Sequence, residues 1–381
     1  MASALSTFND FVDTTGPSFL TSAEDVVNEA VKNNYLLRRF LRGKGPSETV
    51  QGGSTIKDTI MFDDSSTHQF YQPNDTFTWR NPQVLTNWEI DWRFSVDHMS
   101  WTDQEIELNV GGGMGQKARH HQFKKLKRTK EQRLWTSFLN GTESALFATP
   151  VASDMEGSAG TKPYSLPVFI NEDDSGTGSH GGAFDTIQGI DCTSEAKWRP
   201  QMATYDSKVV NYDNNIISNF DSMWKDVRFV PPPSHQEYFE NPTLNAMFIA
   251  CSKKGSSIYT QLLRESQDTF VTSGREDPAY QRPKYAGIDL EYVSELDDYT
   301  GYVGGDTEGA ATAQGPRYYW INANYMKFVF HSSRYMHTHK SMRHPNQPFT
   351  TIVPVDNWYN FICRSRQRQG IVSPDGVVYT Y

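Results

Sequence analysis

Residues 87–101 read NWEIDWRFSVDHMSW, in which Trp88, Ile90, Trp92, Phe94 and Val96 alternate with Glu89, Asp91, Arg93, Ser95 and Asp97. Successive side chains of a strand point to opposite faces, so the alternation predicts one strand with all its large apolar groups on a dry face and its charges on a wet one. Upstream, Phe70, Tyr71, Phe77 and Trp79 precede the turn signal Asn81-Pro82, and Gly52-Gly53 and the polar run Asp63–Thr67 punctuate the approach. The stretch 50–98 therefore reads as a long hairpin excursion. Two strands alone do not make a stable domain in water, so this arm must lean on the rest of the chain or on a neighbouring subunit.

Downstream of the arm, the glycines Gly111–Gly113 and Gly115 precede a predicted helix over Gln116–Leu139, with Phe123, Leu126, Leu134 and Phe138 apolar and Asn140-Gly141 as its stop. Upstream, Thr21 and Glu24 have capping-box spacing, and a helix is expected from Thr21 to Arg42, ended by Gly43, Gly45 and Pro46. The range 50–109 otherwise reads as strands. Beyond Pro150 the chain becomes rich in Gly, Ser, Thr and Asp, with short apolar segments at Ser165–Ile170 and Ala183–Ile190. A helix over Asn214–Lys225 leads to Pro231–Pro233; Leu244–Cys251 reads as a strand feeding a helix over Ser257–Gln267. Ile288–Val293 and Tyr318–Phe330 are apolar segments separated by the loop Tyr299–Pro316, and Thr351–Val355, Trp358–Arg364 and Ile371-Val372 close the chain as strands. The class is α+β, and no repeat of a solenoid or propeller is visible.

Composition narrows the function. A net charge of -9 excludes the globally basic profile of a free DNA-binding domain, while 13% aromatic residues at a mean hydropathy of -0.63 describe a folded, contact-rich chain. Cys192, Cys251 and Cys363 are too few and too scattered for a disulfide framework or a metal knuckle, which fits a reducing compartment. No run of apolar residues is long enough for a membrane span, and the N-terminus lacks the pattern of a secretory signal. No membrane partner and no cofactor are expected.

Chemical motifs are weak. GGGMGQKAR (111–119) lacks the GK[ST] ending of a phosphate loop, and a flexible approach to a helix explains its glycines. Lys124, Lys125, Lys127 and Arg128, with Lys117, Arg119, Lys130 and Arg133, make the following helix basic within an acidic protein. That helix either faces DNA phosphates without reading sequence or is a solvated face paired with acidic groups of a neighbour. His337-x-His339 has metal-ligand spacing, but its segment, with His331, Arg334, Lys340, Arg343 and His344, is cationic and contains no acid or cysteine, so a basic loop is expected. Glu172, Asp173 and Asp174 do not have the ligand spacing of a calcium loop. No hydrolase signature is present, and no catalytic residue is assigned. Arg364, Arg366 and Arg368 alternate, which on a strand would give one basic face turned to DNA, to an acidic interface or simply to solvent.

The order of these features resembles the major capsid proteins of tailed bacteriophages, whose fold is shared with the herpesvirus capsid floor. NNYLLRRFLRGKG (33–45) followed by VQGGSTIKDTIMFDD (50–64) is similar to the family's N-arm leading into its extended loop; 87–109 and the basic helix after it are similar to the return from that loop into the long spine helix. PRYYWINANYMKFVFHSSRYMHTH (316–339), HPNQPFTTIVPV (344–355) and NWYNFICRSRQRQGIV (357–372) resemble the closing strands. The resemblance implies an N-terminal arm over 1–49, an extended loop and return strand over 50–110, a peripheral domain with the spine helix over 111–220, an axial domain over 221–350 and closing strands over 351–381. It implies a head protein assembling into pentamers and hexamers of an icosahedral shell, with Phe70, Tyr71, Phe77 and Trp79 as contacts between subunits. The partners it implies are further copies of the chain, a portal protein and packaged double-stranded DNA held without sequence specificity; a decoration protein is left open. Because 1–49 is short, a separate scaffolding protein is expected rather than a large N-terminal scaffolding segment. The location implied is the virion, assembled in the bacterial host cytoplasm. The competing readings are a minor capsid or tail protein and a β-rich carbohydrate-binding or hydrolytic protein.

Overall fold

The computed structural model describes residues 34–41, 47–110, 116–148, 152–155, 157, 159–171, 186–205, 213–228, 246–267, 283–297 and 316–374. In chain order the elements are α1 (Tyr35–Leu41), β1 (Ser47–Val50), β2 (Thr55–Met61), β3 (Leu85–Asp91), β4 (Arg93–Thr102), α2 (Asp103–Val110) and α3 (Gln116–Leu146). Then come α4 (Ala152–Met155), α5 (Leu166–Phe169), β5 (Thr186–Ile187), β6 (Ile190–Asp191), β7 (Gln201–Tyr205), α6 (Asp213–Val227), β8 (Met247–Cys251), α7 (Lys253–Gln267), β9 (Lys284–Tyr285) and β10 (Ile288–Tyr292). The C-terminal part carries β11 (Tyr318–Asn322), β12 (Met326–His331), β13 (His337–Thr338), β14 (Met342–His344), β15 (Gln347–Cys363) and β16 (Gly370–Pro374). The expected helix over 21–33, its stop at 43–46, the glycines 111–115, the acidic loop 172–174, the prolines 231–233 and the loop 299–315 lie outside the described residues.

Two six-stranded sheets organise the chain. The first is built on the 17-residue strand β15, which pairs with β4 along one edge and with β12, β13 and β14 in succession along the other; β1 extends it by pairing in parallel with β12. The second runs β7-β16-β11-β8-β10-β9. The apolar segment 318–330 serves both: β11 lies in the second sheet, β12 in the first, and three residues, Ala323–Tyr325, carry the chain between them. Its side chains are buried accordingly, with Tyr319, Ile321, Met326 and Phe328 in one core that also takes Trp198, Phe361 and Ile371. A second core lies under α6, whose Ile216, Phe220, Met223 and Val227 recur at helical spacing and pack on Tyr259 and Leu262 of α7 and on Tyr318 and Trp320.

The alternating run 88–96 does not form one strand with one dry face. Trp88, Ile90 and Trp92 are buried, but Phe94 and Val96 are 61% and 73% exposed and Arg93 is buried instead. The chain leaves the hairpin at Trp92, whose indole N–H donates to Gly53 O at 3.0 Å, and enters the sheet built on β15. There Arg93 fills a cluster of carbonyls, donating to Gly157 O (3.0 Å), Lys162 O (3.1 Å) and Met155 O. Three acceptors for one guanidinium fix which parity of β4 faces inward, and apolar periodicity does not report them.

Two helices differ from expectation. Asp103–Val110 is helical where strand was expected, and its start is a capping box: Glu105 N–H donates to Thr102 Oγ1 (3.1 Å) and Thr102 N–H to Glu105 Oε2 (2.9 Å). The 31-residue α3 runs through Asn140-Gly141 to Leu146. A mid-helix glycine costs about 1 kcal/mol, whereas fully burying a leucine returns about 1.5–3 kcal/mol, and Leu146, followed by Phe147 just beyond the helix, lies in the main core.

Gly370 marks a close approach between β16 and α6. A Cβ there would overlap Met223 Sδ and stand 3.2 Å from Gln201 O. Gly370→Ala should therefore lower stability by about 1–3 kcal/mol, the usual range for overpacking a filled core. Urea denaturation reads this directly, and an unchanged midpoint would show that the packing gives way without strain.

Candidate assembly surface

The arm is rooted firmly and ends freely. β2 and β3 pair antiparallel from Thr55↔Asp91 to Met61↔Leu85, and Ile56, Trp88 and Ile90 sink into the main core. Arg364 Nε lies 2.8 Å from Asp58 Oδ2, Lys197 Nζ donates to Phe62 O and Asp63 Oδ1 at 2.7 Å each, and the Phe62 ring meets Trp198 edge-on at 6.0 Å. Past Asp63 the chain is exposed almost throughout as far as Gln83. Phe70 is 93% and Trp79 is 89% exposed, and Tyr71 and Phe77 are exposed as well. The tip is held by contacts within itself: Gln69 Nε2 donates to Thr78 O at 2.9 Å, and Tyr71, Phe77 and Trp79 follow one another at ring separations of 5.3 and 6.2 Å. Of the four aromatics singled out in the sequence, Tyr71, Phe77 and Trp79 thus form one uncovered strip, and Phe70, exposed as well, meets His68 edge-on at 4.8 Å.

A second uncovered surface is the outer face of the first sheet. Phe94 stands opposite Trp358, Val96 opposite Asp356, His98 opposite Pro354 and Ser100 opposite Ile352, with Met342 beyond. Phe94 and Trp358 meet edge-on at 4.9 Å, yet Phe94, Val96 and Met342 stay exposed. Around this apolar strip the loops are basic: Arg334 and His339 both reach Asp356, at 3.3 and 3.1 Å, and Arg343 reaches Asp103 at 2.8 Å. Asp356, from the strand that follows, is the acid that the histidine segment lacks. Among the described residues no group of three or more His, Cys, Asp or Glu side chains is placed to hold a metal ion, and no helix is long and apolar enough to cross a membrane.

The basic helix presents Lys124, Lys127 and Arg128 outward, and Lys125 lies in the same helix. Lys127 is paired with Glu131 one turn on (3.4 Å), whereas Lys130 turns inward to Glu105 of α2 at 3.0 Å. The three arginines near the C-terminus do not lie on a strand. They occupy the bend between β15 and β16, where each has a different environment. Arg364 bridges Glu48 (3.3 Å) and Asp58 (2.8 Å), Arg368 is half-buried, and Arg366 is wholly buried. Arg366 donates to Trp198 O (2.8 Å), Phe169 O (2.9 Å), Val168 O (3.4 Å) and Cys192 Sγ (3.1 Å). It cannot form part of a surface for DNA. Burial pushes the Cys192 thiol up and the Cys363 thiol up to about 12, outweighing the nearby guanidinium, so both are protonated near neutrality.

No protein family and no curated protein matches the sequence. Solved structures do. A chain of the Cyanophage A-1(L) capsid asymmetric unit is similar over 93% of this chain and 96% of its own, with 10% identity and a TM-score of 0.55. A chain from the capsid of the native GTA particle is similar over 92% of this chain and 93% of its own, with 9% identity and a TM-score of 0.53. The fold is the tailed-phage capsid fold. At this identity the shared property is the fold alone, over nearly the whole chain.

Within that fold, sequence reasoning located the aromatic tip but not the outer sheet face. Phe94 and Val96 were expected to be buried because their periodicity continues that of Trp88 and Ile90. The available signal was the position of Arg93, a charge that would have to be satisfied in the core or reverse the face.

Proposed function

We propose that this chain is a major capsid subunit, which self-assembles into pentamers and hexamers that close an icosahedral shell around double-stranded DNA. The observation that supports this best is the exposed aromatic tip of the arm, since large uncovered apolar patches on a folded chain mark contact sites. The arm would lie on a neighbouring copy, with the outer face of its first sheet as the receiving surface. On that pairing the exposed Asp64 and Asp75 of the arm, which also carries Arg80, would meet the exposed His337 and Lys340 beside the sheet face.

The first sheet with α3 would form the peripheral domain. The second sheet with α6 and α7 would form the axial domain, which on this assignment takes in β7 and β16 as well as most of 221–350. The proposed partners beyond the chain itself are a separate scaffolding protein, a portal protein and DNA met through non-specific contacts, for which Lys124, Lys127 and Arg128 supply an outward cationic face. The chain works through interfaces rather than through a catalytic centre, in the virion, after assembly in the bacterial host cytoplasm.

The test is electron microscopy of the chain expressed alone and with the neighbouring genes of its source. Closed shells or rings of five or six subunits are expected. A persistent monomer under both conditions would overturn the reading.

A further inference from the structure

Glu143 is a buried carboxylate that no cation balances among the described residues. It projects from the last turns of α3 beneath the first turn of α1, at 0% exposure. Leu36 N–H donates to its Oε1 at 3.1 Å and Leu37 N–H to its Oε2 at 2.9 Å, so the two oxygens satisfy two of the free amides that every helix start leaves. Elsewhere on α1, Tyr35 is hydrogen-bonded to a second acid, Glu291 of β10. Leu36, Leu37 and Phe40 are buried, Phe40 meets the rings of Phe328 and Phe361 at 5.6 and 5.4 Å, and Asn34 Nδ2 donates to Asn140 Oδ1 at 3.1 Å.

Among the described residues, the other charged group that acts on this carboxylate is also an acid, Glu295, on the turn that follows β10. Arg39, on α1 itself, is directed elsewhere, to Tyr35 Oη at 3.2 Å and over the Phe248 ring at 4.8 Å. Burial therefore dominates, pushing the Glu143 carboxyl up to about 7; the two amides pull it down and Glu295 pushes it up further.

We infer that Glu143 is a proton-operated latch between the arm helix α1 and the spine helix α3, gripping most firmly when the carboxyl is protonated and loosening when it ionises. A neutral carboxyl still accepts one amide through its carbonyl oxygen, and it removes the uncompensated charge from the core. When α1 lifts, water reaches the group and its affinity for a proton returns to that of an ordinary glutamate. The docked form thus holds a proton that the lifted form releases. Docking gains its full benefit below about pH 4.5, and that benefit is lost as pH rises through about 7. A glutamine at this position would cap the helix without charge and carry no such dependence.

Hydrogen exchange at Leu36, Leu37 and Phe40 in the intact chain tests the latch, with each rate corrected for the intrinsic pH dependence of exchange. The opening constant of α1 should rise roughly 70-fold between pH 5 and pH 8 in the natural chain, and should be flat in Glu143→Gln. A flat natural chain, or a Glu143→Gln variant that keeps the slope, would overturn the inference. If that variant does not fold, the natural chain decides alone through the side-chain carbon shift of Glu143: a titration midpoint near 7 supports the latch, and one near 4.5 overturns it.

Discussion

Trp79→Ala should leave the folded subunit unchanged and remove closed shells. The side chain is 89% exposed, so its truncation takes almost nothing from the core, and subunit stability should stay within about 0.5 kcal/mol of the natural chain. Its place at the free end of the aromatic strip is where an interface anchor belongs, and truncating such an anchor costs about 2–4 kcal/mol per contact. That is roughly a 30- to 1,000-fold loss in each pairwise association constant. A shell repeats the contact in every subunit, so the loss compounds and moves the assembly threshold beyond ordinary working concentrations. Sedimentation and electron microscopy read the assembly, and urea denaturation reads the fold. Normal particles at the usual concentration would remove Trp79 from the interface, whereas an unfolded subunit would show that the tip stabilises its own chain. Phe70→Ala, at a site 93% exposed, should act in the same direction.

The arm was legible because its chemistry is local. A two-stranded excursion with a polar break and aromatics that find no periodic partner can be recognised without knowing what it rests on, although its turn lies at Pro73-Asn74, closed by Asp75 N–H donating to Gln72 O at 3.0 Å, and not at Asn81-Pro82. Both sheets were legible as apolar segments, since Leu244–Cys251, Ile288–Val293 and the closing strands fall within or close to β8, β10 and β15. What escaped was set by distant partners. Arg93 turns inward because Met155, Gly157 and Lys162 offer carbonyls, and α3 passes Gly141 because Leu146 has a core to enter. The start of α2 is a different case. Thr102 and Glu105 stand at capping-box spacing in the sequence, and the strand pattern running into them hid a purely local signal.

Arg366 carries the other large expected effect, and the change is in folding rather than assembly. It sits in the bend that takes the chain from β15 in the first sheet to β16 in the second, and its fork ties that bend to α5 and to the segment around Cys192 and Trp198. In these bonds backbone carbonyls and a thiol take the protons of its guanidinium. Arg366→Ala should cost about 3–5 kcal/mol, because it leaves those carbonyls buried without donors and opens a cavity as well. Replacing a buried ion pair by an apolar residue of similar size is often neutral, since both charges leave together. Here the acceptors are main chain and stay, so Arg366→Met should fill the space and still lose at least about 2 kcal/mol. Arg364→Ala, at a partly exposed ion pair a few residues away, should cost about 1 kcal/mol or less. Urea midpoints of the three variants order the effects. A methionine variant as stable as the natural chain would show that the carbonyls find other donors, and that the bend is held by packing rather than by the arginine.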